Sequence, residues 1–194
     1  NIFSVLQIQS KEVLICRMIA DLLNPRGQHG AGAEYLKIFL KDCLGMEKMD
    51  TKLADQAIVT AEYAIDDERR IDIEIGSYFL PIEVKIYAAD QKSQCFDYYQ
   101  YAKRRDAQAK VYYLTLDGHR PGKDSTSSGS QSVPEEDIVC LSFRVHILNW
   151  LKACKNCGNT GMIPILEQFI HNIEQISGYT NEKMRNMVID ELLV

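Results

Sequence analysis

Four ionisable residues, Asp72, Glu74, Glu83 and Lys85, fall at alternate positions of two apolar runs, "RRIDIEI" and "LPIEVKI", separated by "GSYF". A period of two puts them on one face of a pair of strands. Ile71, Ile73, Ile75, Ile82, Val84 and Ile86 take the other face. If "GSYF" is the turn, Ile75 pairs with Leu80 and Asp72 lies directly opposite Glu83. Opposed residues have Cβ atoms roughly 4.5–5.5 Å apart. Two carboxylates that close repel unless a cation lies between them or one keeps its proton. Two carboxylates plus waters suffice for Mg²⁺, and the Lys85 ammonium alongside can hold a water or neutralise growing phosphate charge. The competing reading is a solvated sheet face, and a one-residue slip would restore it. Such a face would more naturally oppose unlike charges. Glu74 reads as an ordinary surface acid.

The elements around the hairpin follow from periodicity. Residues 11–24 carry Val13, Leu14, Ile15, Met18, Ile19, Leu22 and Leu23 at helical spacing, and Pro25 stops the helix. After the glycine-rich "PRGQHGAG", a second helix is predicted over about 33–44. Strands are predicted at 57–65, 70–76 and 80–87, a helix from Asp90 to about Arg105, then strands at "KVYYLTL" and "DIVCLSF". Helices close the chain at about 143–154, about 162–177 and from Asn181 onward. This order predicts one mixed sheet flanked by helices, an α/β domain over 1–194. Residues 118–136, rich in Gly, Ser, Pro and charge, read as a flexible loop.

Bulk properties suit an ordinary globular domain: 194 residues, 46% hydrophobic and 25% charged. The formal charge of −5 gives no global support for nucleic-acid binding, although an acidic metal site can coexist with a local basic surface. No apolar run approaches the length of a membrane span, and the six cysteines read as free thiols of a reducing cytoplasm. The chain opens on Asn1 and stops inside the apolar pattern "MVIDELLV", which reads as a fragment of a longer protein.

Asp72 followed by Glu83-Val84-Lys85 on adjacent strands resembles the PD-(D/E)XK nuclease superfamily, the restriction-endonuclease-like fold. The neighbouring residues agree. Glu12 lies on the first long helix, where that family usually carries an acid. Gln94 and Tyr98 resemble the Gln-x-x-x-Tyr motif of its RecB-like branch. "LLNPRGQHG", "IEVKIYAADQ", "YYLTLDG" and "LSFRVHILNWL" resemble a bacterial subgroup, and the likeness covers about residues 1–178. Two departures stand out: Ile71 replaces the proline before Asp72, and "VLICR" follows Glu12 where the subgroup has a histidine-serine pair.

The resemblance implies phosphodiester hydrolysis, most naturally of DNA, with Mg²⁺ or Mn²⁺. It assigns Asp72, Glu83 and the Val84 carbonyl to the metal. Lys85 would position or deprotonate the attacking water, and Glu12 would orient that water or a second ion. Gln94 and Tyr98 would place the substrate. Each residue also has a plainer reading. Glu12 is favourable with its helix dipole, and Gln94 and Tyr98 could simply be a polar helix edge. "PRGQHGAG" could cradle a phosphate on its amides, with Arg26 and His29 as substrate contacts, or merely join two helices. Cys154 and Cys157 form a lone CxxC without a second pair, more like helix-end thiols than a zinc site. Lys103, Arg104 and Arg105 suit a helix C-terminus, while Arg69, Arg70, Lys110, Arg120 and Lys123 could extend a basic track. Two rival functions remain open: a non-catalytic nuclease-fold module for nucleic-acid binding or assembly, and a glycosidase using a carboxylate pair.

Overall fold

The computed structural model describes residues 1–157 and 159–178. The helix predicted from Asn181 onward lies outside the described residues. Among the described residues five strands form one sheet: β1 (Val59–Ala64), β2 (Arg70–Ile75), β3 (Leu80–Lys85), β4 (Val111–Thr115) and β5 (Ile138–Ser142), side by side in that order. The β1–β2 and β2–β3 neighbours are antiparallel, and the β3–β4 and β4–β5 neighbours are parallel. This is the mixed, helix-flanked α/β sheet that the residue patterns predict.

The turn sets the register as expected. Gly76–Tyr78 make one 3₁₀ turn and Phe79 closes it in the left-handed region at φ 52°. Ile75 then pairs with Leu80, Glu74 with Pro81 and Ile73 with Ile82. On the other flank of β2, pairing with β1 runs from Ile75 to Arg70 and skips one position, Asp72. The residue that would face it, Glu62, has φ 54°. A left-handed backbone at a non-glycine residue costs about 1–3 kcal/mol and persists only where its surroundings hold it.

Helix α1 (Glu12–Leu23) buries Ile15, Cys16, Ile19, Ala20, Leu22 and Leu23, while Val13 and Leu14, also part of the apolar spacing, are exposed. Together with α2 (Glu34–Ile38) it covers one face of the sheet, on Ile73, Ile75, Ile82, Val84 and Leu114. The α2 helix widens into a π turn at Phe39–Cys43, and another π turn at Phe143–Ile147 leads into α4 (Leu148–Cys154). The last described helix, α5 (Ile163–Ile176), packs on α4. Among the described residues the opposite face is covered by α3 (Gln94–Lys103), against Val111, Tyr113 and also Ile71, which alternation assigns to the face of Ile73 and Ile75.

The segment 118–136 corrects an expectation. It folds into a helical turn, Lys123–Thr126, and a two-stranded hairpin of Ser127–Ser128 with Gln131–Ser132. Its backbone is bonded to the start of α3: Ser93 N–H donates to the Asp124 carbonyl (2.7 Å), and Ser93 Oγ donates to the Ser127 carbonyl (2.8 Å). Polar composition suggests a loop, but Ser125 and Val133 are buried and dock it. Among the described residues, all six cysteines are free, and no helix is long and apolar enough to cross a membrane.

Trp150 is fully buried, meets Phe39 edge-on at 5.4 Å, and donates its indole N–H to the Tyr35 carbonyl at 2.8 Å. It therefore ties α4 to α2. Trp150→Ala is expected to destabilise the protein by about 3–5 kcal/mol in urea unfolding, chiefly through the large cavity it leaves.

Candidate active site

The hairpin brings its charged residues into one cleft of about 260 Å³, lined by Glu12, Asp72, Glu83 and Lys85, with Arg69 and Arg70 beside them. Gln94 and Tyr98 line it from α3. Two elements of sequence that are far apart, the start of α1 and the β2–β3 hairpin, therefore meet here, as does the first turn of α3.

Beyond the Ile73–Ile82 pair the two strands part, and side chains replace the strand partner. Asp72 Oδ2 accepts the Val84 N–H at 2.8 Å. Glu12 Oε2 accepts the Ile86 N–H at 2.7 Å, so this first-turn acid does reach the sheet. These two bonds hold β3 on either side of Lys85.

Glu83 is 1% exposed. Lys85 Nζ lies 2.5 Å from its Oε1 and the Asp72 carboxyl is the other group that meets it, but neither contact has the geometry of a full hydrogen bond to the Glu83 oxygens. The contact is best taken as a buried ion pair whose carboxylate retains unused acceptor capacity. Burial, then the Asp72 charge, raises the Glu83 carboxyl well above the usual range, with Lys85 opposing. Asp72 rises to about 6, chiefly through burial and against the pull of the Val84 N–H and Lys85. For Lys85 burial works downward, but Glu83, Asp72 and Glu12 outweigh it and raise the ammonium above its ordinary value. Lys85 is thus a cation beside two acids whose affinity for a proton is raised, Glu83 more than Asp72.

On α3, Gln94 Nε2 donates to the Tyr98 hydroxyl at 3.1 Å, and that hydroxyl donates to the Arg70 carbonyl at 2.5 Å. Both side chains are buried, and the Gln94 Oε1 has no partner. The pair anchors α3 to the start of β2 and leaves one acceptor facing inward.

Other candidate residues fall elsewhere. Arg26 is exposed and does not line the cleft. Its loop is closed on itself: Gln28 N–H donates to Asp21, and the buried His29 ring bonds the Asn24 carbonyl (2.9 Å) and the Ala31 N–H (3.1 Å) and stacks on Tyr35. With its ring bonded on both nitrogens, His29 serves the fold. Glu74 is not a surface acid. It is buried and accepts the Tyr101 hydroxyl at 2.5 Å, because α3 covers the face that alternation alone leaves open. Of the basic residues, Lys103 pairs with Asp137 and Arg105 stacks on Tyr101, whereas Arg120 and Lys123 line a separate hollow by the hairpin. The Cys157 thiol donates to backbone carbonyls at the end of α4.

Arg69 is the neighbour whose contacts alternation does not reveal. It binds Asp97 (2.8 Å), Gln91 (3.1 Å) and the Lys92 carbonyl (2.5 Å), closing the cleft mouth between β2 and α3. The Arg69–Arg70 doublet before "IDIEI" is the signal that marks it.

The donor set fits a hard divalent cation. Among the described residues no three His, Cys, Asp or Glu side chains form a metal cage. Asp72 and Glu83 could nevertheless offer a cation carboxylate oxygens of the kind Mg²⁺ accepts, with waters and the Val84 carbonyl, and the buried Glu83 oxygens are short of donors.

A family model described as the PD-(D/E)XK nuclease superfamily matches residues 1–172. Comparison with curated proteins and with solved structures gave no match.

The raised carboxyls carry a pH signature. Asp72 binds its proton more tightly in the folded protein (about 6) than an ordinary aspartate does (3.8), so its contribution is fully present below the lower value and is lost as pH rises through the upper. Without added divalent metal, stability is expected to rise on acidification from about pH 7 to about pH 5, with about 1 kcal/mol of that rise coming from Asp72. Asp72→Asn removes that share. Urea unfolding of both proteins at the two pH values checks this, and an equal slope in the variant would show that Asp72 is not the titrating group.

Proposed function

The chain belongs to the PD-(D/E)XK nuclease superfamily, and on that premise we propose that it is a Mg²⁺- or Mn²⁺-dependent nuclease that hydrolyses phosphodiester bonds of DNA. The observation that carries the reading is the buried Glu83 carboxylate, short of hydrogen bonds, with Asp72 and the Lys85 ammonium in the same cleft. Asp72, Glu83 and the Val84 carbonyl would hold the cation. When bound, it supplies Lewis acidity and makes water a better nucleophile at neutral pH.

This chain's own groups do the rest. Lys85 faces the cleft as a cation, so its role is to stabilise the charge that grows on the phosphoryl oxygens rather than to abstract a proton. Its ammonium is already in place and need not reorganise as the bond breaks. Glu12 fixes the strand just past Lys85 and turns a carboxylate toward the place where a water would attack. Arg70 offers its exposed guanidinium to the substrate, and Gln94, its carbonyl oxygen buried, shapes the cleft wall against which the substrate is placed. Tyr98 holds Gln94 in place. Six free cysteines are in keeping with a reducing bacterial cytoplasm as the setting.

A panel of circular and linear, single- and double-stranded DNA and RNA with Mg²⁺ or Mn²⁺ tests the proposal. DNA cleavage is expected, abolished by Asp72→Ala and slowed about 10²–10³-fold in kcat by Lys85→Ala with the fold intact. Binding without cleavage of any form would identify the binding module instead, and cleavage that survives Asp72→Ala would refute the assignment of the cleft.

A further inference from the structure

Glu62 sits in the middle of β1 with its backbone in the left-handed region, at φ 54°. On one side of it Ala61 pairs with Ile73, and on the other Tyr63 pairs with Ile71, with no shift of register between them. The pair passed over is Glu62 with Asp72. Asp72 is therefore the one residue of β2 released from β1, and it is also the residue whose carboxylate crosses to the Val84 amide of β3.

The unusual conformation is held from outside. Arg17, on the helix that begins with Glu12, donates Nε (2.9 Å) and Nη2 (2.6 Å) to one oxygen of Glu62. The Arg17 side chain is 58% exposed, a setting in which ion pairs add little to stability. A strained strand residue clamped by a weakly stabilising pair, beside the one unpaired position of the next strand, calls for a role other than stability. Glu62 also lies near enough to act electrostatically on Cys16 together with Asp72, Glu12 and Glu83.

We propose that Glu62 is a positioning residue for Asp72. Its left-handed backbone, fixed by Arg17, interrupts the β1–β2 ladder at a single position so that Asp72 can lean toward β3 and face the cation site. An extended residue here would draw Asp72 back into the ladder and away from Glu83. The inference rests on the nuclease reading of the cleft, since it concerns how Asp72 is presented to the cation.

Calorimetric Mn²⁺ binding, with thermal unfolding and circular dichroism alongside, tests it on the full chain. Glu62→Gly keeps access to positive φ and is expected to hold Mn²⁺ within about threefold of wild type. Glu62→Val, which disfavours positive φ, is expected to weaken binding by about tenfold or more without loss of the fold. Equal binding by both variants, whether strong or weak, overturns the proposal. Should Glu62→Val fail to fold, the exposed Arg17→Met decides. It releases the clamp and is expected to weaken Mn²⁺ at least about threefold by loosening the support of a ligand, and unchanged binding overturns the proposal. Mn²⁺ bound alike by wild type and every variant sinks this inference alone, whereas no Mn²⁺ bound by wild type sinks the nuclease reading with it.

Discussion

Beyond Ile73 and Ile82 the strands β2 and β3 part, and two amides of β3, Val84 and Ile86, need acceptors other than a neighbouring strand. Asp72 and Glu12 supply them. Amides two apart on a strand point the same way, so the two carboxylates are brought to the same edge, one on each side of Lys85. The backbone's need for hydrogen bonds thus recruits acids to the place where a cation would gather them. A hydrophobic or amide side chain at either position would leave a donor unmet or change the charge of the cleft.

Glu83 is the counterpart of that arrangement. Its strand is buried along its whole length, between β2 and β4 and beneath α3. Burying an ionised carboxylate would cost several kcal/mol even after relaxation, and because Lys85 alone does not offset this, Glu83 holds its proton well above the usual carboxylate range. The remainder falls on the rest of the fold: the large cluster under α1, α2, α4 and α5, and the smaller one under α3. Tyr98 and Arg69 are where these two demands meet, since each fastens α3 to the start of β2 and fixes the depth of the cleft.

Much of this was legible in the residues, and the reason is periodicity. Alternation across "RRIDIEI" and "LPIEVKI", with a four-residue turn of fixed register, was enough to bring Asp72 and Glu83 together. Helical spacing likewise placed Glu12 at the sheet end of α1. What alternation could not convey was which helix covers which face, so Glu74 read as solvated although Tyr101 meets it in the interior. Composition misled at 118–136, where docking depends on single residues such as Ser125. At "PRGQHGAG" it left two readings open and could not show that His29 and Asp21 take up part of the loop's own hydrogen bonding. The backbone of Glu62 has no sequence signal at all, because glutamate is not a residue that marks positive φ.

The charge balance explains how an acidic chain can still suit a polyanion. Glu12, Glu68, Asp72 and Glu83 line the cleft against Arg69, Arg70 and Lys85. Fully ionised, that set is net negative and repels phosphate. The fold moderates this by holding protons on Glu83 and, near neutral pH, partly on Asp72. A divalent cation entering between them would displace those protons and leave the cleft net positive, with Lys85 and the arginines directed at the same small volume. On the proposed reading, substrate affinity and metal occupancy are therefore coupled through charge alone, with no conformational change required. An overall charge of −5 is compatible with nucleic-acid binding on those terms, because the charge that matters is local and a bound cation would keep the ionised cleft from being net negative.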